Sequence, residues 1–252
     1  MNLKRMIPSI FVHMKVFRFL PVVIMMAMLT SSQNAPLIEK YELMGRFEPS
    51  EHSDFTSLPS RYTNRESAWL RKEAAEAFML MADSAAADGI RIFVVSATRN
   101  HEYQEEIWTR KWASQNGDEA EKALAILEYS SMPGTSRHHW GTDLDINSVE
   151  PSYFESGQGA RIYEWMSANA HKFGYFQPYT AQMRGRTGYN EEKWHWSYQP
   201  IARKLLKAYN HLVTPEDISG FPGAEVNAEI DVIGRYVNGI ADFPGDPFVS
   251  PI

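Results

Sequence analysis

The chain has 252 residues, a formal net charge of −6, 44% hydrophobic residues and no cysteine. Disulfides and thiolate metal ligands are therefore excluded, and any metal must be held by His, Asp or Glu. The acidic balance argues against nucleic-acid binding, while the length suffices for one domain with an ample core.

Residues 1–35 have the order of a secretory signal peptide. Lys4, Arg5, Lys15 and Arg18 are basic, and no acidic residue precedes Glu39. An apolar run from Leu20 to Leu29 follows, then Thr30, Ser31 and Ser32. That run is shorter than the roughly 20 residues of a membrane span; an uncleaved N-terminal anchor is the alternative. Either reading implies an exported protein, periplasmic or in the cell envelope, that meets the membrane only through this segment.

Residues 36–252 are expected to form a single domain. Residues 36–62 read as an irregular segment wrapping it. Leu70, Ala74, Ala77, Phe78 and Met81 recur at helical spacing, which predicts a helix from about Ser67 to Ala87, stopped at Asp88-Gly89. Ile90 to Val95 reads as a short apolar strand. Helices are predicted from His101 to Ala113 and from Asp118 to Tyr129, with a turn at Pro133-Gly134. Thr142–Asn147 and Lys193–Tyr198 alternate as half-buried strands do. Further helices are predicted at Arg161–Phe173, Ile201–Leu212 and Ala224–Ile240, before a loose tail at Asp242–Pro247. Helices and short strands are interleaved without regular βαβ spacing. This favours an α+β fold, with a small antiparallel sheet flanked by helices.

Two segments carry residues suited to chemistry. In the first strand Asp143, Asp145 and Asn147 share a face, shortly after His138 and Gly141. In the second, His195 and Ser197 share a face, with Trp194, Trp196 and Tyr198 opposite. Glu192 lies three residues before His195, so it cannot share that face and belongs in the preceding turn. Two imidazoles and a carboxylate can hold zinc and leave a position open for water. An unligated glutamate nearby can then carry protons. Periodicity does not choose between Asp143 and Asp145. Each feature alone has an ordinary structural reading: a Trp-His pair in a strand is usually packing, Arg99 a solvated charge, His139 a loop residue and His171 a helix-surface residue.

Taken in order, Ser136-x-His138-x-x-Gly141-x-x-x-Asp145 and Glu192-x-Trp194-His195 resemble the signature of the zinc D-alanyl-D-alanine carboxypeptidases. These include the VanY-type enzymes and share a fold with lysostaphin-type peptidases and the hedgehog signalling domain. Ser96 to Gln104 is similar to the family's upstream motif, in which an arginine follows the first core strand. The resemblance covers about residues 66 to 212. It implies a hedgehog/D-Ala-D-Ala peptidase-like fold, one zinc ion on His138, Asp145 and His195, and Glu192 as catalytic base. It places Arg99 at the carbonyl oxygen or the substrate carboxylate, with Ser136, Gln104 and Trp194 as further substrate contacts and Trp140 as a cleft wall. The implied partner is a peptidoglycan stem peptide ending in D-Ala-D-Ala. An L,D-carboxypeptidase or endopeptidase of the same fold is the nearest alternative, and a non-catalytic zinc-containing binding module the more distant one. The family usually has a small residue where this chain has Asp143. That aspartate either orients a ligand or faces solvent.

Overall fold

A computed structural model of the chain describes residues 38–183 and 186–242. The leader and nearly all of the predicted loose tail lie outside the described residues. Elements are numbered in chain order: α1 (Lys40–Leu43), β1 (Phe55–Ser57), β2 (Trp69–Arg71), α2 (Lys72–Ala87), β3 (Val94–Ser96), α3 (His101–Trp112), α4 (Glu119–Ile126) and β4 (Asp143–Ile146). There follow α5 (Gly157–Asn169), β5 (Tyr175–Phe176), β6 (His195–Tyr198), α6 (Gln199–Leu212) and α7 (Asn227–Ile230). Short 3-10 turns join them.

A four-stranded sheet in the order β3-β4-β6-β5 forms the centre, and each neighbouring pair is antiparallel. The α+β expectation with a small antiparallel sheet is met. One face of this sheet is apolar: Leu144, Ile146 and Trp196 join Phe78, Met81 and Ala85 of α2 and Ile162 and Met166 of α5. On α2 the buried positions are 74, 75, 78, 81, 82 and 85, a helical stripe laid against that face. A second cluster gathers α3, α4 and the C-terminal turns around Trp108, Leu127 and Tyr236. A third packs α6 against Leu43 and Trp140.

Two predicted helices are corrected. Ser67–Arg71 is not helical. Trp69–Arg71 pairs with Phe55–Ser57 as a separate two-stranded sheet. The carbonyls of Ala68 and Trp69 accept from Leu58 and Thr98, so neighbouring chain uses this extended backbone on both sides. Tertiary pairing here outweighs local helical spacing. The predicted helix Ala224–Ile240 is broken into a 3-10 turn, α7 and a π turn at Ile233–Val237. Asp231 causes the break: it adopts a left-handed φ of 55°, and its Oδ1 accepts the Gly234 N–H at 3.1 Å.

Candidate metal centre

The strand register brings the two chemical segments together. Asp145 stands directly opposite His195 across the β4–β6 pair, and Asp143 opposite Ser197. Cross-strand partners share a face, and diagonal neighbours are within reach of long side chains. Asp143, Asp145, His195 and Ser197 therefore crowd one side of the sheet, fifty residues apart in sequence.

His138 reaches the same point from a 3-10 turn at Arg137–Trp140. Ser136 caps that turn by accepting the His138 N–H at 3.3 Å. Gly141 ends it with φ 71°, and a Cβ there would collide with the Phe55 ring. Glycine is required on both counts.

Hydrogen bonds fix which imidazole nitrogens are free. The Nδ1–H of His138 donates to the Ala97 carbonyl at 2.8 Å, which leaves Nε2 with its lone pair. The Nε2–H of His195 donates to Asp143 Oδ2 at 2.9 Å, which leaves Nδ1. These two free nitrogens lie 3.4 and 3.2 Å from the same oxygen, Asp145 Oδ1. All three donors fall within 4.8 Å of one another. Nε2 of His138 and Oδ1 of Asp145 are buried with no hydrogen-bond partner. Buried polar atoms are rarely left so, and two imidazole nitrogens and a carboxylate oxygen facing one point suit a divalent ion such as zinc. Glu192 Oε2 stands 3.4 Å from His195 Nδ1 and is not part of the donor set. It lies in the turn before β6, as its spacing requires. Its backbone N–H donates to the Tyr179 carbonyl at 2.9 Å, and its carbonyl accepts from Gln177 at 3.1 Å. Burial pushes its carboxyl above the usual range, against the pull of the neighbouring His195.

Asp143 is a positioning residue that orients His195. It is fully buried and saturated: Oδ1 accepts from Thr142 and Ser197, and Oδ2 from Arg137 and His195. Burial would raise its carboxyl, but Arg137 and the His195 bond hold it well below the carboxylate range. Asp143→Ala is expected to cost about 3–5 kcal/mol of stability, because Arg137 is left buried without its counter-charge. It is also expected to weaken metal binding about 10- to 100-fold, the usual effect of losing a ligand's orienting partner. Denaturant unfolding of the metal-free protein and chelator competition measure the two effects. Unchanged metal affinity would show that Asp143 does not orient His195.

His138, Asp145, His195, Glu192, Arg99, Ser136 and Trp194 all line one cleft of about 400 Å³. Gln104 and Trp140 do not. Gln104 is fully buried, and its Nε2–H donates to the Ser131 carbonyl at 2.8 Å, so it braces the cleft wall from behind. Trp140 packs beside Tyr209 in the third core cluster, with its Nε1–H on the Leu43 carbonyl. His139 is also corrected, from loop residue to buried brace. Its Nδ1–H donates to the Arg99 carbonyl at 2.7 Å, and its Nε2 accepts the Gly134 N–H at 3.1 Å. Burial pushes its imidazole down to about 3, and the ring remains neutral. Arg137, Lys111, Tyr179 and Tyr189 line the cleft without having been singled out from sequence. Arg137 adjoins His138, and that adjacency was the available signal. The two tyrosines lie in a connection without periodicity.

Three converging donors with an unligated carboxylate beside them, set on an antiparallel sheet, form a candidate site for one divalent metal ion, the arrangement that metal-assisted hydrolysis uses. Residues 67–201, which contain every one of these groups, match the VanY family, D-alanyl-D-alanine carboxypeptidase, and the chain belongs to that family. Among relatives, YodJ of Bacillus subtilis (strain 168) is 29% identical over 178 residues, covering 67% of this chain and 60% of YodJ. A D-alanyl-D-alanine carboxypeptidase of Enterococcus faecalis is 33% identical over 122 residues, covering 47% of this chain and 44% of its own. The chain thus spans about half the length of the curated relatives it matches. The structure of the LdcB LD-carboxypeptidase shares the fold, with a TM-score of 0.50 and 24% identity over 67% of this chain and 77% of that one.

Proposed function

We propose that this chain is a zinc-dependent carboxypeptidase that removes the terminal D-alanine from peptidoglycan stem peptides ending in D-Ala-D-Ala. The observation that carries the reading is the convergence of His138 Nε2, Asp145 Oδ1 and His195 Nδ1 in a cleft that also presents the unligated Glu192. Zinc held by such a set acidifies water and polarises a carbonyl. The chain's own residues supply the rest. Glu192 takes a proton from the attacking water and delivers it to the departing amine. Its raised affinity for a proton suits both halves of that task. Arg99 follows β3, and its backbone N–H donates to the His138 carbonyl at 3.3 Å, which anchors it beside the ligands. Trp194 walls the cleft beside Glu192 and the buried Tyr179.

The leader reading supports action outside the cytoplasmic membrane, where stem peptides lie. No helix among the described residues is long and apolar enough to cross a membrane. Mass analysis of muropeptides digested by the zinc-loaded protein tests the reading. Loss of a single D-alanine per stem peptide is expected. Two large fragments would show an endopeptidase instead, and intact muropeptides would remove the catalytic reading altogether.

A further inference from the structure

The cleft adjoins a second cavity, here the inner and outer lobes; all three metal ligands line the inner lobe, and Asp145 alone of them lines both. The inner lobe is lined by Lys111, Ser130, Tyr179 and Tyr189, and an outer cavity of about 260 Å³ by Arg65, Ser67, Val95 and Tyr103. Arg99, Ile107, Asp145 and Val149 line both. Helix α3 sets the order. Tyr103 lines only the outer lobe, Ile107 both, and Lys111 only the inner one. Residues four apart share a helix face, and eight residues rise about 12 Å. The helix therefore carries Lys111 from the junction into the inner lobe.

The inner lobe presents the cations Lys111 and Arg99 alongside the carboxylates of Asp145, Glu150 and Glu192. Among the described residues, neither Lys111 nor Arg99 has a carboxylate within ion-pair distance. Arg137 also lines this lobe, but Asp143 neutralises it at 2.9 Å. Arg99 belongs to the junction, where it lines both lobes and adjoins His138. Lys111 is half-buried and lines the inner lobe four residues beyond Ile107 on α3. Burial, and then Arg99, push its ammonium below the usual range against the pull of Glu192, and an arriving anion offsets part of that cost.

We propose that Lys111 is the receptor for the terminal carboxylate of the substrate in the inner lobe, and that Arg99 at the junction serves the scissile carbonyl oxygen. This rests on the carboxypeptidase reading and deepens it, because it separates two roles that one arginine could otherwise fill. The departing residue occupies the inner lobe and the upstream peptide the outer one. A lysine binds a carboxylate as a point charge, so specificity at this end is for a free acid.

The test compares a peptide ending in D-alanyl-D-alanine with the same peptide as its C-terminal amide, using the zinc-loaded full chain. The parent protein is expected to prefer the free acid. Lys111→Met should lower kcat/KM for the acid by about 10- to 100-fold, the scale of a lost charge-assisted contact. The loss should fall mainly on KM, because the carboxylate is held equally before and during reaction. Turnover of the amide should fall far less than that of the acid, so the preference collapses. Lys111→Arg should restore most of it. A Lys111→Met protein that keeps the parental acid-to-amide ratio overturns this assignment while leaving the carboxypeptidase reading intact. A parent protein that releases no D-alanine from the acid overturns that reading, and this proposal with it.

Discussion

Glu192→Gln is expected to lower kcat by about 10² to 10⁴ while the protein retains its full complement of zinc. The first half follows from the chemistry of the side chain. Glutamine has nearly the same shape but cannot accept the proton that attack releases, and a positioned acid–base group is worth about that factor. In activation free energy this is about 3–5 kcal/mol. The second half follows from geometry. Glu192 is outside the donor set, and its backbone is held by Tyr179 and Gln177 rather than by its side chain. Rates of D-alanine release and elemental analysis of the same preparation read the two halves together. A variant that hydrolyses at the parental rate removes Glu192 from the mechanism. A variant that loses its zinc makes Glu192 a ligand instead.

His195→Ala should lose both metal and activity. It deletes one of three donors, an effect expected to exceed the roughly 100-fold attributable to an orienting partner. Asp143 then retains Arg137, Thr142 and Ser197, so the metal-free variant should still fold. Thermal unfolding with and without zinc separates these outcomes. At a zinc concentration of about 100 times the dissociation constant, the parent gains about 2.7 kcal/mol of stability by mass action. The variant should gain none. A zinc-dependent rise in Tm as large as the parent's would exclude His195 from the centre.

Two strands of the central sheet, β4 and β6, were legible because they alternate, and alternation assigns faces without knowledge of the rest of the fold; β5, two residues long, carries no such pattern. The same alternation placed Glu192 in a turn. Alternation left Asp143 and Asp145 open; the motif resemblance chose Asp145, and the register with β6 sets it opposite His195. Both aspartates turn out to serve His195, one at each ring nitrogen. Gln104 and Trp140 were misplaced for a shared reason: proximity in sequence to a motif does not fix the direction of a side chain, and both turn into packed interior. His139 was underrated because its two hydrogen bonds go to backbone groups of Arg99 and Gly134, which leave no trace in composition. Lys111 was invisible as a site residue because a basic residue in the last turn of a helix is ordinary, favoured there by the helix dipole. Only the path of α3 across the cleft gives it a role.

The pairing of Asp145 with His195 has an evolutionary corollary. Side chains alternate every residue, so a single-residue insertion inside β6 would swing the imidazole into the apolar layer and offer a tryptophan to the metal. The excursion between β5 and Glu192 is under no such restraint, since loop length is a cheap variable. Tyr179, Tyr189 and the remaining cleft furniture of that excursion can therefore diversify, lengthen or be exchanged while the chemistry stays fixed. Relatives on this scaffold are free to change what they cut by rewriting one connection and leaving two short strands alone.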